Sequence, residues 1–287
     1  MKEYYILQEN NEGHKDMTQL VSALCLCEGK PRVIGLTDRM LSSADMTLTF
    51  ERDEPKIEII TSKSAVLTAG ILDEPDLIRE VRERARGKEH IREIAELFKQ
   101  AYQCLRIAHI EDEILNPLAG IRTFTEYHEK QKTIHDSLVF DLNEKIRKYD
   151  VGLTLLLIGM DGQGGHIIGI MNPGIWRSYD SLGFLCIGMG DRHADNVFAW
   201  YKYQSAIPLN DAIYIAFEAK KKAEAAGGVG LATDMITIDK DGIEIIEQET
   251  INTLEEIYYE REKTRERRGF DEQITGLKIR TKKVEAP

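Results

Sequence analysis

The sequence predicts a mixed α/β protein (α+β) in which two sheets lie between helical layers. Three observations carry that expectation: an opening group of short apolar runs, a pair of amphipathic stretches behind it, and a second passage of strands, helix pair and closing strand. The opening runs are residues 20–27, 33–36, 57–60 and 65–69, rich in Val, Ile and Leu. Leu77, Ile78, Val81 and Ala85 then fall on one helical face, opened by Asp73, Glu74 and Pro75 and ended by Gly87. Ile91, Ile94, Leu97, Phe98, Ala101 and Leu105 repeat that spacing in a second helix. Strands return at 153–158, 167–170 and 184–187, with Asp161-Gly162-Gln163-Gly164-Gly165 reading as a hairpin turn rather than a phosphate loop, since no helix or Lys-Ser/Thr pair follows it. Helical spacing over 193–204 and 211–226, stopped by Gly227-Gly228, precedes a last strand at 235–238. This order is that of a four-layer αββα sandwich, although periodicity alone admits other α/β folds.

Two segments stand outside the alternation. Between about residues 107 and 150, Asn116-Pro117 and Gly120 interrupt the chain. Tyr127, Ile134, Leu138, Leu142, Ile146 and Tyr149 then recur at helical spacing. That stripe suits a helix packed on its own subunit or one reaching a neighbour. From Glu255 the chain is charge-rich, as expected of a helix end followed by a solvated tail. The expected organisation is an N-terminal extension over 1–17, one domain over 18–255 carrying the helical insertion, and a tail over 256–287.

Lysine and arginine number 38 against 49 acids, a balance that argues against nucleic acid or an anionic membrane as partner. No apolar run is long enough to span a bilayer, and residues 1–16 lack the regions of an export signal, so a cytoplasmic protein is expected. The four cysteines, Cys25, Cys27, Cys104 and Cys186, lack metal-ligand spacing and read as reduced thiols. His109, His128, His135 and His166 have no paired spacing either, so neither metal nor cofactor is expected.

Several blocks together resemble the proteasome β-subunit family of N-terminal nucleophile (Ntn) hydrolases and the related bacterial ring peptidase that works with an ATP-dependent unfoldase. Thr18 opens TQLVSALCLC, followed by a turn at Glu28-Gly29-Lys30-Pro31 and a return strand ending at Arg39. Lys56 opens KIEII, and Ala69-Gly70 closes the next strand at the family's spacing. FLCIGMGDRHADNVFAW resembles the family's strand, Gly-x-Gly turn and helix, and KKAEAAGGVGLATDMITIDKDGIEII its long helix, Gly-Gly break, Asp-led strand and hairpin. The resemblance selects the αββα sandwich and implies a threonine-type peptidase. Thr18 would be the nucleophile, its free α-amine the base, Lys56 the charge that tunes the amine and the Gly70 N–H the oxyanion donor. It further implies that the Thr18 and Gly70 strands lie close in one sheet, with Lys56 pointing at Thr18. Thr37, Asp38, Arg39 and Met189 fall at supporting positions. Implied partners are peptide or unfolded-protein substrates, further copies in a homo-oligomer that encloses the sites, and an ATP-dependent unfoldase.

The departures carry their own expectation. Thr37 stands where the family has an acid, with Asp38 one step out of register; Met189 replaces a serine, and Ala223 and Ala226 replace an acid and a serine. Lys56 is thereby expected to have few partners and no well-placed carboxylate, a costly state for a buried lysine. Activity also requires Thr18 to be residue one, because an amide nitrogen is no base. A misplaced start at Met17, a propeptide and a permanent inactivating extension all fit the preceding residues. The alternatives to a peptidase are a non-catalytic structural or scaffold subunit and an amidase acting on small molecules.

Overall fold

Two positive backbone angles, at Glu28 (φ 50) and Gly29 (φ 78), let the chain reverse in two residues and fix the first hairpin. The computed structural model describes residues 18–42, 49–70 and 74–268; the expected extension over 1–17 and the last part of the expected tail lie outside the described residues. Along the chain, strands β1 (Gln19–Cys27) and β2 (Lys30–Thr37) form that hairpin, short β3 (Met40–Ser42) pairs with β4 (Thr49–Glu51), and β5 (Ile57–Thr61) pairs with β6 (Ser64–Gly70). Helices α1 (Glu74–Arg84) and α2 (Ile91–Ile110) follow. A π-helical turn (Glu111–Leu115) then leads into α3 (Asn116–Ala119), α4 (Phe124–Lys130) and α5 (Asp136–Lys148). Next come β7 (Leu153–Asp161), β8 (Gly164–Met171), β9 (Ile175–Ser178) and β10 (Phe184–Gly188), then α6 (Asp191–Trp200) and α7 (Leu209–Ala223). Strands β11 (Asp234–Ile238) and β12 (Ile243–Ile245) close the first unit, which ends at Ile246. The second unit begins at Glu247 and carries α8 (Gln248–Arg268). This helix runs on through residue 256, where a tail was expected, because its Glu, Arg and Lys residues are good helix formers.

The strands assemble into two five-stranded antiparallel sheets, ordered β10-β1-β2-β11-β12 and β5-β6-β7-β8-β9. Side chains alternate across a strand, so the second sheet has two apolar faces. Val66, Leu155, Leu157 and Ile168 pack with Ile78 and Val81 of α1 and Ile94 and Phe98 of α2. Leu67, Leu156, Ile158 and Ile167 instead pack with Leu20, Val33 and Ile236 of the first sheet. Contact there is close: a Cβ on Gly35 would lie 2.4 Å from Ile158 Cδ1. Helix α7 lies against β1 and β2, and α6 against β10. One expectation is corrected here. The Thr18 and Gly70 strands belong to different sheets, since among the described strands β1 pairs with β2 and β10 while β6 pairs with β5 and β7.

The insertion settles its own alternative. The expected helix over 127–149 is two helices, with Thr123 capping α4 at Glu126 N (3.1 Å) and His135 capping α5 at Ser137 N (3.3 Å). Its apolar stripe packs within the same chain: Tyr127 and Leu142 are buried with Ile110, Ile114, Leu115 and Ile121, and Ile134, Leu138, Ile146 and Tyr149 are half-buried against them.

The expected hairpin turn is present, with Asp161 paired to Gly164. It is tied down by His166, a buried imidazole held by Asp180 Oδ2 at 2.8 Å and Asp161 Oδ1 at 2.9 Å. Asp161 also accepts the Ile91 N–H at the start of α2 (3.1 Å). The hydrogen bond to Asp180, opposed by burial and aided by Asp161, holds the imidazole above its ordinary range.

Candidate functional site

β2 ends at Thr37, and the residue that follows leaves the strand alternation. Asp38 therefore turns inward although Thr37 is already buried. Its N–H still bonds to Gln19 O (3.3 Å), which keeps Asp38 beside the start of β1, where Thr18 sits. The Thr18 hydroxyl donates to Asp38 Oδ1, and the same oxygen accepts the Gln19 N–H at 3.3 Å. Lys56 enters from the other sheet. It lies at the open end of the β5–β6 hairpin, its carbonyl bonded to Thr68 N (3.1 Å) two residues before Gly70. Its ammonium donates to the Thr18 hydroxyl, to Asp38 Oδ1 (3.1 Å) and to Met40 O. Thr18, Asp38 and Lys56 are respectively 2 %, 0 % and 4 % exposed, so all three side chains are buried.

The expected lack of a carboxylate at Lys56 is overturned. The chain's exit from β2 brings Asp38 into position from one residue later than the expected acid. Thr37 itself spends its hydroxyl on Asp38 O (3.0 Å). Arg39 makes a two-pronged ion pair with Asp234 (2.7 and 2.8 Å) and a bond to Asp53 O (2.8 Å), clamping the end of β2 to β11. Met189 contributes its backbone: its N–H donates to Thr18 O at 3.2 Å. The turn before it needs Gly188 (φ 127), because a Cβ there would lie 1.8 Å from Thr18 O. Gly70 (φ 134) ends β6 opposite Leu153, and a Cβ on it would lie 2.0 Å from Gly152 O. Beside these two glycines lies a cleft of about 690 Å³, lined in part by Gly152, Leu153, Met171, Gly188, Met189 and Asp191. Ala223 is held small by contact with the same turn, its Cβ 2.4 Å from where a Cβ on Gly190 would stand.

Sequence reasoning missed the other side of Asp38. Asp38 Oδ2 accepts the Gly230 N–H at 2.6 Å. The following residues are bound by Glu51 Oε1, which accepts Leu231 N (2.6 Å) and Ala232 N (2.9 Å). Lys220, fully buried on α7, donates to Leu231 O (2.7 Å) and Glu224 Oε1 (2.6 Å), and Lys221 reaches Glu224 Oε2 at 2.8 Å. Burial draws the Lys220 ammonium below the usual lysine range, against the opposing pull of Glu224. The run of Gly and Ala after α7 was a signal only for a helix stop.

The cysteines are unpaired. Burial pushes the Cys25 thiol up to about 12 and lifts Cys186 well above its ordinary value, so both are protonated and poor nucleophiles. Among the described residues no helix is long and apolar enough to cross a membrane. Comparison of the sequence with protein-family models gives no match, and comparison with curated proteins gives none.

Proposed function

We propose that the chain is a proteasome-like threonine peptidase with an αββα arrangement, whose nucleophile is the Thr18 hydroxyl. The observation that carries this reading is the contact of that hydroxyl with both Lys56 Nζ and Asp38 Oδ1, all three side chains being buried. An ammonium and a carboxylate on one hydroxyl are costly to bury, and a structural threonine at the start of a strand needs neither. In the proposed reaction Thr18 Oγ1 attacks the carbonyl carbon of a peptide bond and its proton passes to the Thr18 α-amine. That amine then protonates the leaving nitrogen, and water hydrolyses the ester. Lys56 stabilises the charge that develops, and the Gly70 N–H receives the oxyanion. Gly70 pairs with Leu153, one of the residues lining the cleft, and in this reading the substrate enters by that cleft.

The reading includes a homo-oligomer around an enclosed chamber, with an unfoldase as feeding partner. Trp200, Ile245 and Leu231 are large apolar side chains left 77 %, 76 % and 70 % exposed, which suits burial between copies. A non-catalytic scaffold subunit is the second reading, favoured by Ala223: its methyl packs on the Gly190 turn where a carboxyl or hydroxyl would otherwise support the amine. The deciding experiment uses protein beginning at Thr18. It should hydrolyse fluorogenic peptide amides and form a covalent adduct with an epoxyketone, and Thr18→Ala should do neither. An assembled Thr18-start protein without turnover or adduct would leave the scaffold reading.

A further inference from the structure

We propose that Lys220 is a positioning residue of the Thr18 centre, holding the loop at 230–232 so that the Gly230 N–H stays on Asp38. The inference rests on the peptidase reading for its catalytic consequence. Apolar burial holds the chain at Val229, but Leu231 is 70 % exposed within one copy, so hydrogen bonds fix the tip of the loop. Glu51 binds two of its N–H groups from the outside, and Lys220 binds the Leu231 carbonyl from beneath at 2.7 Å. Between these anchors Gly230 gives its N–H to Asp38 at 2.6 Å. The fit leaves no room to drift inward, because a Cβ on Gly230 would lie 3.0 Å from both Met40 N and Met40 Cβ. Met40 is also the residue whose carbonyl receives Lys56. Lys220, the loop, Asp38, Met40 and Lys56 are thus one contiguous set of bonds ending on the nucleophile.

Stability alone does not account for Lys220. A buried lysine–glutamate pair contributes little over apolar residues of the same volume, and a helix packed on a sheet has no need of one. What the ammonium adds is a directed donor at the end of a long stem, long enough to reach the loop from α7.

The test compares Thr18-start protein with Lys220→Met and with Lys220→Met/Glu224→Gln. The single variant leaves Glu224 paired with Lys221 alone; the double variant also removes the carboxylate charge and keeps an amide acceptor for Lys221, so the tether is tested with and without the acid beneath the loop. Either variant should lower kcat by about tenfold or more, as expected when a reacting group loses its orientation. KM should stay within about threefold, since no substrate contact is removed. Amide exchange at 230–232 should accelerate while β6 and β7 keep their protection. Unchanged kcat in a folded variant, or unchanged loop exchange, overturns the inference. So does free exchange of the Gly230 amide in the unsubstituted protein, which needs no variant to fold. Exchange requires no substrate, so the tether is decided even if the parent proves inactive; absence of turnover and adduct in the parent would instead count against the peptidase reading.

Discussion

Asp38 is the residue on which the site turns, because one of its oxygens binds Thr18 and Lys56 and the other receives Gly230. Asp38→Asn keeps the shape and removes the charge, leaving the Lys56 ammonium buried without its counter-ion. Breaking one side of a buried pair costs roughly 3–5 kcal/mol. Chemical denaturation should register a loss of that order, and peptide hydrolysis should fall by about a hundredfold or more. Gly188→Ala tests the backbone side of the same site. Its methyl would meet Thr18 O, so the turn must shift and Thr18 with it; a loss of about 1–3 kcal/mol in unfolding free energy should accompany loss of epoxyketone labelling. The resemblance pointed Lys56 at Thr18, and the two side chains do meet, whereas Gly70 ends β6 opposite Leu153. Asp38 was read as out of register because the resemblance puts the acid two places before the arginine, at Thr37, and a count along the chain does not show that the exit from β2 turns the next residue inward. Gly230 and Lys220 were not legible at all: a backbone N–H leaves no mark on the residue type, and a lysine on a helix reads as solvated.

At the scale of elements, the long apolar runs announced the central strands, whereas β3, β4, β9 and β12 are three or four residues long and too short for a period to show. The stripe on α4 and α5 was visible, but helical spacing does not say whether the face it presents meets its own chain or a neighbour; here it meets Ile110, Ile114, Leu115 and Ile121 just before it. Its burial against the π-turn and α2 predicts that Leu142→Ala destabilises by about 2–5 kcal/mol, measured by urea unfolding, as for other fully buried leucines. The His166 clip makes a pH prediction. Its pKa is raised in the folded chain, so its contribution is complete below the ordinary value of 6.5 and is lost as pH rises through the folded value. His166→Gln should therefore lower Tm more at pH 6 than at pH 9. An equal Tm loss at both would mean that the clip acts through shape alone.

For the whole molecule, the exposed Trp200, Ile245 and Leu231 lead to the expectation that protein beginning at Thr18 sediments as a closed homo-oligomer at micromolar concentration. A monodisperse monomer in analytical ultracentrifugation would remove the chamber from the proposal. The division of the reacting groups between two sheets has a kinetic consequence. Thr18 and Asp38 flank strands of one sheet and Lys56 precedes a strand of the other, so in the proposed reading neither sheet alone carries a competent centre. Local hairpins form on the microsecond scale, but the seam between the sheets closes only when distant parts of the chain meet. During refolding, circular dichroism should recover ahead of epoxyketone labelling, and the labelling curve would serve as a clock for the moment at which the two halves of the core dock.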